Sequence, residues 1–188
     1  MTTQNPTVTT KQLCELHAQI ATGRITRAMM QAFLDDPNRF VTKFPTTINL
    51  SLGLMKLIRQ AVGENGYINP DITPERFKIK GKGAREVSLE LVPFLEDETG
   101  KEAAKRLEAE GYILENAAEL AAFFQQFPEE VKKHNYIVAL GKDSRWGIYT
   151  DGVHVPFVCV VRNGKRSCHL VSFDSKFRSG NLVLVSRK

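Results

Sequence analysis

The sequence predicts an α+β protein: a helical N-terminal region over residues 1–70, then a mixed domain over residues 71–188 that ends in an antiparallel β meander. Three observations carry this. Apolar residues recur at helical spacing from Leu13 to Leu34 and again from Leu52 to Ile58. From Phe77 onward the pattern changes to the two-residue alternation of strands, as in Val87, Leu89 and Leu91. Near the C-terminus two β-rich runs flank Asn163-Gly164, the pair that most favours a two-residue type I′ hairpin turn, because both central positions need φ > 0.

Composition agrees with a folded domain. The 188 residues suffice for one domain of ordinary size or a domain with a small appendage, and a composition 42% hydrophobic and 25% charged is that of a globular rather than a disordered chain. No apolar run approaches the ~18 residues needed to span a bilayer. The opening MTTQNPTVTTKQ lacks the basic start and apolar core of a signal peptide, so a cytoplasmic protein with no membrane partner is expected.

Taken in order, residues 1–8 read as a loose tail. Thr9 or Thr10 caps a helix bearing Leu13, Leu16 and Ile20, and Gly23 ends it. Thr26 caps a second helix through Met29, Met30, Phe33 and Leu34, stopped by Asp36-Pro37. A helix-turn-helix reader of DNA would need a cleaner small-residue and glycine spacing than this pair has, so simple packing of two helices is preferred. Residues 38–47, with Pro45, read as a linker, and residues 50–62 as a third helix with Leu52, Met55, Leu57 and Ile58 on its apolar side. Gly63, Gly66, Asn69-Pro70 and Thr73-Pro74 then break regular structure and mark the domain boundary.

In the second domain, FKIKGKGAREVSLELVPF reads as strand pairs about a flexible turn at Gly81-Lys82-Gly83, which lacks the spacing of a phosphate loop. Thr99 caps a helix through Leu107 that Gly111 ends, and Asn116 or Glu115 opens another through Phe124. The expected strands that follow are 136–140, 146–150, 153–161, 165–173 and 182–185, with Asp151-Gly152 as a second tight turn. A two-residue turn at Asn163-Gly164 sets Val160 opposite Ser167 and Cys159 opposite Cys168. Phe157, Cys159, Val161, Cys168 and Leu170 then form the core face, and Val158, Val160, Arg162, Lys165, Ser167 and His169 the other. That register permits a Cys159–Cys168 disulfide; in a reducing cytoplasm two adjacent core thiols are the preferred reading. Cys14 is expected to be a small buried thiol in its helix.

Charge is unevenly distributed. Residues 134–188 hold nine of the 26 Lys and Arg residues but only Asp143, Asp151 and Asp174 of the 21 acids, so the net charge of +5 belongs to the β meander. Such a surface suits an anionic partner; it also suits a solvated meander whose edges are protected by cations. The expected ligand-binding residues are Arg145, Trp146, Arg162, Lys165, Lys176 and Arg178, with Tyr149 beside Trp146 as a further aromatic. Mixed cations and aromatics of this kind suit single-stranded nucleic acid. Metal-ligand spacing, a G-x-S-x-G elbow, a dinucleotide fingerprint and a metalloprotease helix are all absent from the sequence. Strand alternation sends Cys168 and His169 to opposite faces, against a nucleophilic pair. The expectation is therefore a non-enzymatic binding or interaction protein without cofactor or metal. Its partner is a protein or an anionic ligand; the alternative is nucleic acid on the basic C-terminal β surface.

Residues 86–188 also carry a resemblance. Glu102-Ala103, Leu107, Gly111-Tyr112, Glu119-Leu120 and the closing Leu182-Val183-Leu184-Val185-Ser186-Arg187 are similar in rhythm to bacterial C-type-lectin-like domains of the sulfatase-modifying-factor type. The whole chain also resembles uncharacterised proteins of candidate-phyla bacteria. The resemblance implies a lectin-like fold in which the first strand, near Val87, and the last, near Val185, lie close together. It implies no functional residue, because the family's Leu-Pro-Thr segment is here Leu114-Glu115-Asn116 and its cysteine pairs and calcium-binding run are not matched.

Overall fold

A computed structural model describes residues 10–26, 28–31, 42–148, 152–178 and 180–187. The chain divides into two compact units, Met1–Val41 and Thr42–Lys188. The first contains α1 (Thr10–Ala21), closed at Gly23 with φ 71°, and a second helical turn whose start is capped by the Thr26 hydroxyl accepting from the Met29 amide. Cys14 on α1 is exposed, contrary to the expected buried thiol, as are its neighbours Leu13 and Ile20 on this helix. The stop at Asp36-Pro37 lies outside the described residues.

The second unit is built on β1 (Phe44–Asn49), β2 (Tyr67–Ile68), β3 (Ala84–Pro93), β4 (Glu98–Thr99), β5 (Tyr112–Leu114), β6 (Ile137–Val138), β7 (Trp146–Ile148), β8 (Gly152–Val160), β9 (Arg166–Ser172), β10 (Lys176–Phe177) and β11 (Leu182–Arg187). Its helices are α2 (Leu54–Val62), α3 (Gly100–Ala109), α4 (Ala117–Gln126) and the single turn α5 (Pro128–Val131). Nine strands form one sheet in the order β1-β3-β11-β6-β8-β9-β2, with β5 beside β11 and β7 beside β8; β10 and β4 pair separately. Most pairs are antiparallel, and β11–β6 and β9–β2 are parallel. The fold is α+β, as expected.

The domain boundary near residue 70 is corrected. Residues 44–68 supply β1, α2 and β2 to the same unit as the rest of the sheet. The stretch read as a linker is β1, paired with β3 from Phe44↔Leu89 to Asn49↔Ala84 and alternating buried with exposed. Pro45 misled the reading because proline is tolerated on an edge strand, where its missing N–H costs no ladder bond. Phe77 and Ile79 lie in irregular chain rather than in a strand, and Phe77 is buried in the core nonetheless.

Two apolar layers hold the sheet. On one face α2 and α4 pack Leu54, Leu57, Ile58, Leu120, Phe123 and Phe124 against Leu89, Val158, Cys168 and Leu184. The Phe44 and Phe123 rings meet edge to face at 5.1 Å. On the other face α3, with Phe173 and Phe177, covers Val138, Val155, Val183 and Val185. Both helices start with a capping box, Thr99 with Glu102 and Asn116 with Glu119, as their sequences require. Glu98 is buried under α3 and accepts two hydrogen bonds from Arg106, at 2.7 and 2.8 Å.

The hairpin register is one residue away from the predicted one. Val160 pairs with Arg166, Cys159 with Ser167 and Val158 with Cys168. Asn163 does not adopt positive φ; Gly164 alone does, at 79°. The Gly164 amide donates to the Val161 carbonyl at 2.8 Å and the Val161 amide to the Lys165 carbonyl at 3.0 Å. These bonds define a three-residue loop, Arg162-Asn163-Gly164, with glycine as the bulge residue. A one-residue change turns side chains to the opposite faces. Cys159 and Cys168 therefore lie on different faces and are free thiols, so the possible disulfide is excluded. Val158, Val160, Cys168 and Leu170 point to the α2–α4 side, and Phe157, Val155 and Val171 to the α3 side.

The first and last long strands, β3 and β11, pair directly from Leu182↔Pro93 to Ser186↔Leu89. This adjacency is what the lectin-like resemblance implies, but antiparallel pairing of distant strands is common to many α+β sheets and does not identify one.

Candidate functional site: a basic cleft beside an open sheet face

Three segments converge at one end of the second sheet face. The first runs from the close of α5 into β6 and carries Lys132, His134, Asn135 and Tyr136. The second is the end of β8, from Cys159 to Arg162, and the third holds Lys176, Arg178 and Asn181 ahead of β11. Backbone bonds tie the first to the third: Asn135 N–H to the Gly180 carbonyl, 3.4 Å, and Leu182 N–H to the Tyr136 carbonyl, 2.9 Å. Together they enclose a cleft of about 640 Å³, within the range of ligand sites.

The cleft is strongly cationic. Among the described residues its lining holds two lysines, two arginines and His134, and no carboxylate. Lys132 pairs with Glu129 at 2.5 Å and His134 with Glu130 at 3.2 Å, both from α5 outside the lining. Arg162 and Arg178 make no ion pair among the described residues and are exposed. Asn181 is 6% exposed, and its buried side-chain oxygen has no hydrogen-bond partner among the described residues. A buried acceptor left unpaired costs about 1–3 kcal/mol, which a donor on a bound molecule would recover.

Beyond the cleft the same sheet face carries a row of aromatic rings, half-buried at its centre and exposed at its ends. Tyr67 on β2 lies 4.7 Å from His169 on β9. His169 stacks on Phe157 of β8 at 5.3 Å and 18°. Phe157 meets Tyr136, just before β6, at 4.6 Å. The register explains the row: Phe157 faces His169 across the β8–β9 ladder, and Tyr67 pairs with Ser167, two residues before His169 and on the same face of β9. Tyr67 and Tyr136 at its ends are 47% and 41% exposed. Burial lowers the pKa of His169, which keeps its ring neutral at physiological pH.

Three expected ligand residues, Arg162, Lys176 and Arg178, meet in the cleft. Lys165 follows the three-residue hairpin loop, exposed and outside the cleft lining, with its amide held by the Asn163 side chain. Arg145 and Trp146 are elsewhere. Arg145 donates to the Leu140 carbonyl at 3.0 Å and lies 4.7 Å over the Phe173 ring; Trp146 packs under Arg76 at 4.0 Å and against Phe77. Both are half-buried supports, Arg145 against Phe173 on the α3 side and Trp146 against the α2–α4 cluster. Tyr149 lies outside the described residues. Sequence reasoning missed Lys132, His134, Tyr136 and Asn181, which are spread over 50 residues of chain and join only through strand pairing. It also missed the aromatic row, whose signal was hidden by the one-residue register error.

Burial raises the Cys159 pKa, and burial with Cys159 nearby pushes Cys168 up to about 12, so both thiols stay protonated at neutral pH. Among the described residues no group of three or more His, Cys, Asp or Glu side chains is placed to hold a metal ion. None of the helices there is long and apolar enough to cross a membrane. Fold and cleft together define an α+β protein with an open, cationic site on its sheet. Comparison with protein-family models, with curated proteins and with solved structures found no match to the chain.

Proposed function

We propose that this chain is a binding protein whose cleft takes a phosphate-bearing ligand. The observation that carries the reading is the convergence of Lys132, Arg162, Lys176 and Arg178 from three separate segments with no carboxylate among the described lining residues. Lys132 already has Glu129 as a partner, whereas Arg162 and Arg178 have no carboxylate partner among the described residues, so an anion in the cleft would neutralise the two arginines and suits the cluster better than solvent. Arg162 and Arg178 supply planar donors for phosphate oxygens, and the two lysines supply point charges. Binding rather than nucleophilic catalysis is favoured because the one thiol of the cleft, Cys159, is held protonated.

The test is a calorimetric titration with inorganic tripolyphosphate at low salt. Wild-type protein should bind it, and Arg178→Ala should weaken binding about tenfold or more, as loss of a charge-assisted hydrogen bond does. Affinity should fall as salt is raised. Absence of binding at low salt, or equal affinity in the Arg178→Ala variant, would sink the reading.

A further inference from the structure

We propose that the occupant of this surface is single-stranded nucleic acid, its phosphates in the cleft and its bases stacked on the aromatic row; this rests on the phosphate reading above. Charge alone would accept any polyanion. The second requirement of a single strand is a set of flat apolar rings spaced along the path of the backbone. Tyr67 on β2 and Tyr136 just before β6 supply the exposed rings of that set, one at each end of the stacked His169–Phe157 pair, with centroid steps of 4.7, 5.3 and 4.6 Å along the row.

Three features separate this row from ordinary core. Its end rings are exposed at 47% and 41%, whereas Phe123 and Phe124 on the opposite face of the sheet are fully buried. Its imidazole is kept uncharged by burial, which suits stacking on a neutral base. Its last member, Tyr136, also lines the cleft, so a chain whose phosphates reach Arg162 and Arg178 has a base beside Tyr136. A duplex offers no free ring faces for such a row, because its bases are stacked on each other. An apolar protein helix would fit the rings and leave the cations of the cleft unmatched.

Fluorescence anisotropy with labelled single-stranded oligonucleotides of about 12 residues tests this, with tripolyphosphate calorimetry run in parallel on each variant. Tyr67→Ala and Tyr136→Ala should each weaken oligonucleotide binding roughly 5- to 150-fold. Tripolyphosphate affinity should stay within about twofold, since neither phenol ring supplies charge. Tyr136→Phe, which keeps the ring, should restore oligonucleotide binding. Unchanged oligonucleotide affinity in both alanine variants, or equal binding of the matching duplex, would overturn the inference while tripolyphosphate binding left the phosphate reading standing. If wild type binds neither probe, both fall together. Circular dichroism melts of each variant exclude loss of fold as the cause.

Discussion

At the scale of single residues, Glu115 shows how burial turns into pH dependence. It is 4% exposed, accepts a hydrogen bond from the Ser186 hydroxyl and lies near the equally buried Glu119. Burial, aided by Glu119, raises its pKa against the opposing Ser186 bond. A carboxyl raised on folding binds its proton more tightly in the native state. Its contribution to stability is therefore fully present below the unfolded value, near 4.3, and is lost as pH rises through the folded one. Glu115→Gln keeps an acceptor for Ser186 and removes the ionisation. The variant should melt higher than wild type at about pH 7 and show no such gain at about pH 3; an equal gain at both would contradict the burial argument. Among the cysteines, Cys14 alone is exposed, and the facing arrangement that would have joined Cys159 to Cys168 is removed by the register.

At the scale of elements, the β8–β9 hairpin is the feature on which most else turns. The sequence correctly marks a hairpin at Asn163-Gly164, since few other dipeptides carry so strong a turn preference. Local preference does not choose between two-residue and three-residue loops, because both place glycine in the left-handed region. The longer loop is selected by the packing of Val158, Cys168 and Leu170 under α2 and α4, which the shorter one would turn outward. Gly164→Ala forces a side chain into φ 79° and should cost about 1–2 kcal/mol in urea melts. Asn163→Ala loses only the bond from the Lys165 amide and should cost about 1 kcal/mol or less. Equal, large losses at both positions would point back to the type I′ turn. The helix starts at Thr99 and Asn116 were legible for the opposite reason: a capping box is satisfied within four residues and needs no tertiary partner.

At the scale of the whole unit 42–188, β11 joins the two apolar layers. Leu184 faces the α2–α4 cluster, while Val183 and Val185 face the α3 cluster. Both layers should therefore unfold together. Leu184→Ala, at a fully buried position, should lower stability by about 2–5 kcal/mol. It should move the far-ultraviolet circular dichroism and the fluorescence of the single tryptophan, Trp146, by the same amount. Separated transitions would show two independent cores. The basic bias of residues 134–188 acts on this scale as well: it was visible as composition, but only the pairing of β6, β8 and β11 gathers Arg162, Lys176 and Arg178 with Lys132 into one cleft.

By itself the sequence determined the α+β class, most helices and strands of residues 71–188, the caps and the cationic character of the C-terminal part. These depend on residue identity, short-range periodicity and charge count, all carried within a few positions of chain. Tertiary structure decided the membership of β1 and α2 in the main unit, the hairpin register, the supporting roles of Arg145 and Trp146, and the row from Tyr67 to Tyr136. Each of these is set by which strand lies beside which, and strand pairing is chosen by burial of apolar surface between residues far apart in sequence.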